Sequence, residues 1–148
     1  SQIYIQIVFA VKNREALIQK NWKDRLHAYI TGIVQGNGHK MLAINSMPDY
    51  IHVFIGYKPT QPIPDLVEAI KTSSNRFVKE SQLSQFPFAW QRGYGAFSYS
   101  RSQLPKVARY IENQELNHAN KSFREEYLDI LRKFEVEYDE RYVFDFFD

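Results

Sequence analysis

"NSMPDYIHVFIGYKP" (residues 45–59) contains the turn that organises the chain. Pro48-Asp49 separates two apolar runs, "HKMLAINSM" (39–47) and "YIHVFIGY" (50–57), and reads as the turn of an antiparallel hairpin. Side chains alternate along a strand, so Ile51, Val53 and Ile55 share the core face of the second run. Tyr50, His52 and Phe54 share the other. A phenol and an imidazole side by side on an otherwise apolar strand need a reason.

Outward from the hairpin, the pattern alternates between strand and helix periods. "IYIQIVFAV" (3–11) places Ile3, Ile5, Ile7, Phe9 and Val11 on one face and Tyr4, Gln6 and Val8 on the other. Leu17, Trp22, Leu26, Ile30, Ile33 and Val34 recur at helical spacing and predict a helix over about 16–35, stopped by "GNG" (36–38). A second helix over about 63–80 has Leu66, Val67, Ile70, Phe77 and Val78 as its apolar stripe. "WQRGYGAFSYS" (90–100) reads as a short aromatic strand. Ser102 is the expected N-cap of a third helix, with Pro105 in its first turn. Ser122 and Glu125 form a capping-box pattern for a fourth, carrying Phe123, Tyr127, Ile130, Leu131 and Phe134.

The order β-α-β-β-α-β predicts an α+β chain: a ferredoxin-like antiparallel sheet with helices on one face, plus C-terminal helices, in a single domain over 1–148. The other face, with Tyr4, Gln6, Tyr50, His52 and Phe54, would lie open. A partner subunit, a late helix or a substrate is expected to cover it.

Composition narrows the function classes. With 44% apolar and 24% charged residues the chain falls in the ordinary globular range. No apolar run is long enough to cross a bilayer and no leader precedes the first strand, so a cytoplasmic protein is expected. Cysteine is absent, which excludes thiolate zinc sites and cysteine nucleophiles and fits a reducing compartment. A net charge of +2 means that a polyanion would be held by local patches. Aromatic residues make up 16%, chiefly core, though a surplus of rings also suits stacking on unpaired bases.

In "RYIENQELNH" (109–118), Tyr110 and Gln114 are four apart and project together from the third helix. Tyr110 lies off the Leu104, Val107, Ala108 and Ile111 stripe, so it is not simply core filling. A flanking tyrosine with no chemistry is the ordinary alternative, as a hydrogen-bonded structural histidine is for His52.

"MPDYIHVFIG", "WQRGYGAFSYSRSQ" and "YIENQELNH", in this order, resemble the single-tyrosine HUH transposases of small bacterial insertion sequences. These TnpA-type enzymes move DNA as single strands, and the REP-associated tyrosine transposases are related to them. The resemblance implies that Tyr110 is the nucleophile, forming a 5′-phosphotyrosine and leaving a free 3′-hydroxyl. It implies a divalent metal, Mg²⁺ or Mn²⁺, held by His52 and Gln114. It also implies a homodimer with sites shared between subunits, a DNA partner bearing a hairpin, and association with the nucleoid when bound. Arg14, Lys71, Asn75, Lys79, Arg92 and Arg101 are candidate phosphate contacts, with a solvated charged face as the alternative for each.

The family's strand motif is His, bulky apolar, His, and here its first histidine is replaced by Tyr50. A phenol ionises only near pH ~10 and is a poor ligand for these metals at neutrality. The activity is therefore expected to be weakened, and a non-cleaving hairpin-DNA-binding protein is the alternative. His118 is a conceivable substitute ligand. Position 50 is beside a turn and off the Ile51 face, so Tyr50→His is expected to be tolerated by the fold.

Overall fold

A computed structural model describes residues 2–114 and 122–133 of the chain. Strands β1 (Ile3–Ala10), β2 (Lys40–Met47), β3 (Tyr50–Tyr57) and β4 (Gly95–Tyr99) form one sheet in the order β2-β3-β1-β4, with every neighbouring pair antiparallel. Helices α1 (Lys23–Gly36) and α2 (Ile63–Glu80) cross over between strands, and α3 (Leu104–Glu112) and α4 (Phe123–Lys133) follow the sheet. This is the expected ferredoxin-like α+β arrangement, hairpin included: Met47 pairs with Tyr50 across Pro48-Asp49.

Ile5, Ile7 and Phe9 of β1 and Ile51, Val53 and Ile55 of β3 face α1 and α2, where Leu26, Ile30, Val34, Leu66, Ile70 and Val78 complete an apolar core. Trp90 closes its edge, standing edge-on to Phe9 at 4.7 Å and donating its indole N–H to Ser74 Oγ at 2.8 Å.

Two expected starts move. The first helix begins at Lys23, not near residue 16, because the backbone of the preceding segment is used elsewhere. Ile18 N–H donates to the Pro48 carbonyl at 2.9 Å, tying Leu17 and Ile18 into the core as extended chain beside the hairpin turn. The third helix is not capped by Ser102. Ser100 N–H donates to Gln103 Oε1 at 2.9 Å and opens a 3-10 turn over Arg101–Gln103, and α3 starts at Leu104 with Pro105 in its first turn.

The second face of the sheet is covered by the chain's own late helices. Phe123, Tyr127 and Leu131 of α4 pack on Val8, Ala10 and Tyr50, while Val107, Tyr110 and Ile111 of α3 pack with Ala43, Phe54, Tyr99 and Ile130. Of the three covers expected, the late helix is the one present. Gly95 permits the close approach of α4, since a Cβ there would collide with the Tyr127 hydroxyl.

A β-bulge between Met41 and Ala43 sets what β2 shows to this face. Met41 pairs with Ile55 and joins the first core, but Ala43 pairs with Phe54, so the alternation shifts by one residue. Asn45 thereby lies opposite His52 on the second face, where an unbroken strand would have turned it away.

Candidate active site

His52 is central on β3 and 1% exposed. Its Nδ1 is 2.7 Å from Gln6 Nε2 on β1, and Gln6 Oε1 accepts a hydrogen bond from Tyr99 Oη on β4 at 2.6 Å. Three adjacent strands therefore fix the imidazole. Gln6 serves as the link because an amide offers a donor and an acceptor at once, and a buried polar group without partners is costly.

On its other side the ring meets α4. Glu126 Oε1 lies 3.0 Å from His52 Nε2, and Gln114 Nε2 donates to the same carboxylate oxygen. Glu126 is 1% exposed, and burial, with the nearby Asp49 and Asp129 charges adding to it, pushes its carboxyl pKa up to about 9.

α3 is seated by Asn45, whose Nδ2 donates to the carbonyls of Ile111 at 2.9 Å and Glu112 at 3.2 Å. Both carbonyls belong to the last turn of the helix, so one side chain of β2 holds that end in place. Asn113 ends the helix, its N–H donating to Arg109 O at 3.0 Å, so Gln114 lies just past α3 and not within it. Tyr110 and Gln114 nevertheless are both buried on the sheet side. Burial, and secondarily the Asp129 charge, raises the pKa of the Tyr110 hydroxyl above its ordinary value.

Tyr50 is a packing residue. It is 2% exposed, stands edge-on to Phe123 with ring centroids 4.6 Å apart, and its hydroxyl has no hydrogen-bond partner among the described residues. Position 50 lies beside the turn and off the Ile51 core face, as expected, but α4 builds a second core on it. A histidine there would leave space beside Phe123.

The basic candidates are dispersed. Arg14 is close enough to Asp49, at the Tyr50 end of the sheet, for its charge to act on that carboxyl. Arg92 and Arg101 are exposed in the segments flanking β4. Lys71, Asn75 and Lys79 belong to α2, across the sheet from His52. Lys71 braces the loop that carries Arg92: its ammonium donates to the carbonyls of Gln91 and Gly93 at 2.8 and 2.6 Å, and burial lowers its pKa to about 8. Asn75 and Lys79 line a groove of about 950 Å³ together with Arg76 and the exposed Phe86.

The sequence reading missed Glu126, Tyr99 and Asn45 as neighbours of the site, and it placed Gln6 on the His52 face without foreseeing their hydrogen bond. Glu126 carried one signal: it sits three after Phe123 and four before Ile130, beside an apolar stripe. His118 and Phe134 lie outside the described residues.

Among the described residues no three His, Cys, Asp or Glu side chains converge as metal ligands. His52 and Glu126 are two, and the Gln114 amide is a third donor of a different kind. Its Oε1 is buried with no hydrogen-bond partner among the described residues. Carboxylate and amide oxygens with one imidazole nitrogen, a borderline donor, make a mixed set compatible with Mg²⁺ or Mn²⁺.

This sheet, with its second face given to a polar cluster under α3, is the fold of the small tyrosine transposases. The family model described as "Transposase IS200 like" matches residues 1–114, and the chain belongs to that family. It is 29% identical over 118 residues to the ISDra2 transposase TnpA of Deinococcus radiodurans, covering 76% of this chain and 84% of the relative. A crystal structure of a transposase from Deinococcus radiodurans R1 superposes with a TM-score of 0.57 at 28% identity, over 75% of this chain and 89% of the other. A REP-associated tyrosine transposase bound to a REP hairpin superposes with a TM-score of 0.60, covering 79% of this chain and 68% of the other, and at 13% identity it supports the fold alone. No described helix is long and apolar enough to cross a membrane.

Proposed function

We propose that this chain binds hairpin-bearing single-stranded DNA at the ends of an insertion sequence and cleaves and rejoins it through Tyr110. The Tyr110 oxygen attacks the phosphorus, a 5′-phosphotyrosine forms, and the displaced strand leaves as a 3′-hydroxyl. The phosphodiester bond energy stays in the adduct, so a second 3′-hydroxyl can attack it and regenerate the tyrosine without a nucleotide cofactor.

The observation that carries this reading is the meeting of His52 and Gln114 around one carboxylate, with Tyr110 four residues earlier, in a chain of the transposase family. His52 and Gln114 would hold Mg²⁺ or Mn²⁺, which when bound offsets charge on the phosphate oxygens. Gln6 and Tyr99 orient the imidazole, and Asn45 holds the end of α3 that presents Tyr110 and Gln114. Tyr110 is 6% exposed and packs in one cluster with Ile130 of α4 and Phe54 of β3.

For the DNA, Arg14, Arg92, Arg101, Asn75 and Lys79 are the proposed phosphate contacts, with Lys71 acting through the loop it braces. Membership of the transposase family supports DNA as the partner, and the REP-associated protein that shares this fold is bound to a hairpin. The buried Tyr110 and the packed Tyr50 favour a second reading, a hairpin-binding protein that does not cut.

A labelled hairpin oligonucleotide with Mn²⁺, run on denaturing and native gels, separates the two. The expected result is a covalent adduct that Tyr110→Phe abolishes, with the native shift unchanged; an adduct that survives in the variant removes Tyr110 from the mechanism. In the homodimer implied by the family, α3 of each chain already reaches its own strand, so we propose sites complete within one chain. A mixture of Tyr110→Phe and His52→Ala chains should then stay inactive, and restored cleavage would show shared sites.

A further inference from the structure

The geometry points to Glu126 as a metal ligand of this chain, completing with His52 and Gln114 a site that Tyr50 alone would leave one donor short. The inference rests on the function proposed above. It departs from the family pattern in naming a ligand that lies beyond residues 1–114, the part of the chain the family model matches.

Three observations support it. First, Glu126 comes from α4 to within 3.0 Å of His52 Nε2, the ring nitrogen left after Nδ1 is taken by Gln6. Second, Gln114 reaches the same carboxylate oxygen from the end of α3, and its own carbonyl oxygen is buried with no hydrogen-bond partner among the described residues. An amide turned by half a rotation exchanges its nitrogen for that oxygen, converting a donor to the carboxylate into a metal ligand. Third, Tyr50 does not aim its hydroxyl into a donor set; it is edge-packed on Phe123, the first residue of the helix that brings Glu126. One substitution thus accounts for two features. The larger ring at position 50 forfeits an imidazole ligand and gives α4 the apolar seat from which Glu126 enters.

A buried carboxylate in contact with an imidazole is also what an ionic tie between helix and sheet would look like, with no metal involved. The metal itself distinguishes the two. Calorimetric titration of Mn²⁺ into the full chain without DNA should show one site per chain. Glu126→Gln, which keeps shape and removes the anionic donor, should weaken that site by at least about tenfold, since even the loss of outer-shell partners costs about 10–100-fold. Mn²⁺ should raise the wild-type melting temperature and leave that of Glu126→Gln nearly unmoved. Glu126→Asp keeps the charge with a shorter reach and should give an intermediate affinity, which carries the test if the glutamine variant does not fold.

Mn²⁺ bound equally or more tightly by Glu126→Gln would overturn the assignment and make the carboxylate a competitor for the site. Absence of Mn²⁺ uptake by the wild type would overturn it too. Both outcomes are read without DNA and are separable from the phosphotyrosine reading. An adduct that depends on Tyr110 would keep that reading standing after the ligand assignment fell. Mn²⁺ uptake that needs Glu126, with no adduct formed, would support the ligand assignment and overturn the phosphotyrosine reading instead.

Discussion

The two faces of the sheet are built on opposite terms. Toward α1 and α2 the strands present Ile5, Ile7, Phe9, Ile51, Val53 and Ile55 to helical Leu, Ile and Val, and the interior is apolar. Toward α3 and α4 the same strands present Gln6, Asn45 and His52 to Gln114 and Glu126, all buried, inside a ring of aromatic packing. Polar groups sealed from water lower stability unless each is paired, so the second face trades stability for arrangement. The first face is therefore the rigid platform, and the second is where a few positioned atoms can do chemistry.

The largest expected effect breaks the platform. Phe9→Ala removes a ring with no exposure that touches Trp90 edge-on, and should cost about 3–5 kcal/mol in urea unfolding. A loss below about 2 kcal/mol would mean that the site face contributes more of the stability than its polar content allows.

That platform is also the part of the molecule most legible in the sequence. Period-two alternation in residues 3–11 and 50–57 and the helical stripe of 63–80 gave the strands, the second helix and the topology, because an apolar core needs only pattern. Tyr110, His52 and Gln114 could be singled out by spacing and resemblance, and the structure does bring His52 and Gln114 to one carboxylate. Glu126 could not be placed, because its importance depends on where α4 docks, which no local pattern encodes. Asn45 was hidden by the bulge: reading 39–47 as an unbroken strand gives no reason to turn Asn45 toward His52. The first helix began late for a similar reason, since the bond from Ile18 to Pro48 joins segments far apart in sequence.

An intermediate effect is expected at the link between strands. Gln6→Leu keeps the volume roughly constant but takes away the partner of His52 Nδ1 and of Tyr99 Oη together. Stranding a buried polar group costs about 1–3 kcal/mol, so the variant should unfold at lower urea by an amount in that range. The ¹⁵N shifts of His52 should move as well, because the tautomer loses the contact that selects it. A variant as stable as the parent, with unchanged ring shifts, would show that the polar cluster is held by the helices alone and would remove the sheet from its positioning.

The smallest effect concerns Tyr50, and it separates the ring from its hydroxyl. The ring fills the junction between β3 and α4, edge-on to Phe123 and 5.7 Å from the His52 ring centroid. The hydroxyl is buried and has no hydrogen-bond partner among the described residues, so it contributes a desolvation cost with nothing in the second core to offset it. Tyr50→Phe keeps the packing and removes that cost. Stability should stay level or rise by up to about 1 kcal/mol, and the affinity for Mn²⁺ should not change. This outcome would fix the meaning of the departure from the family's histidine: position 50 has passed from the metal to the core. A loss of more than about 0.5 kcal/mol would instead show that the hydroxyl is bonded in the folded chain, beyond the scatter expected of a neutral substitution. Weaker Mn²⁺ binding in the same variant would place the phenol back among the ligands, and the contrast between an apolar seat and a polar site would no longer hold at the residue where the two meet.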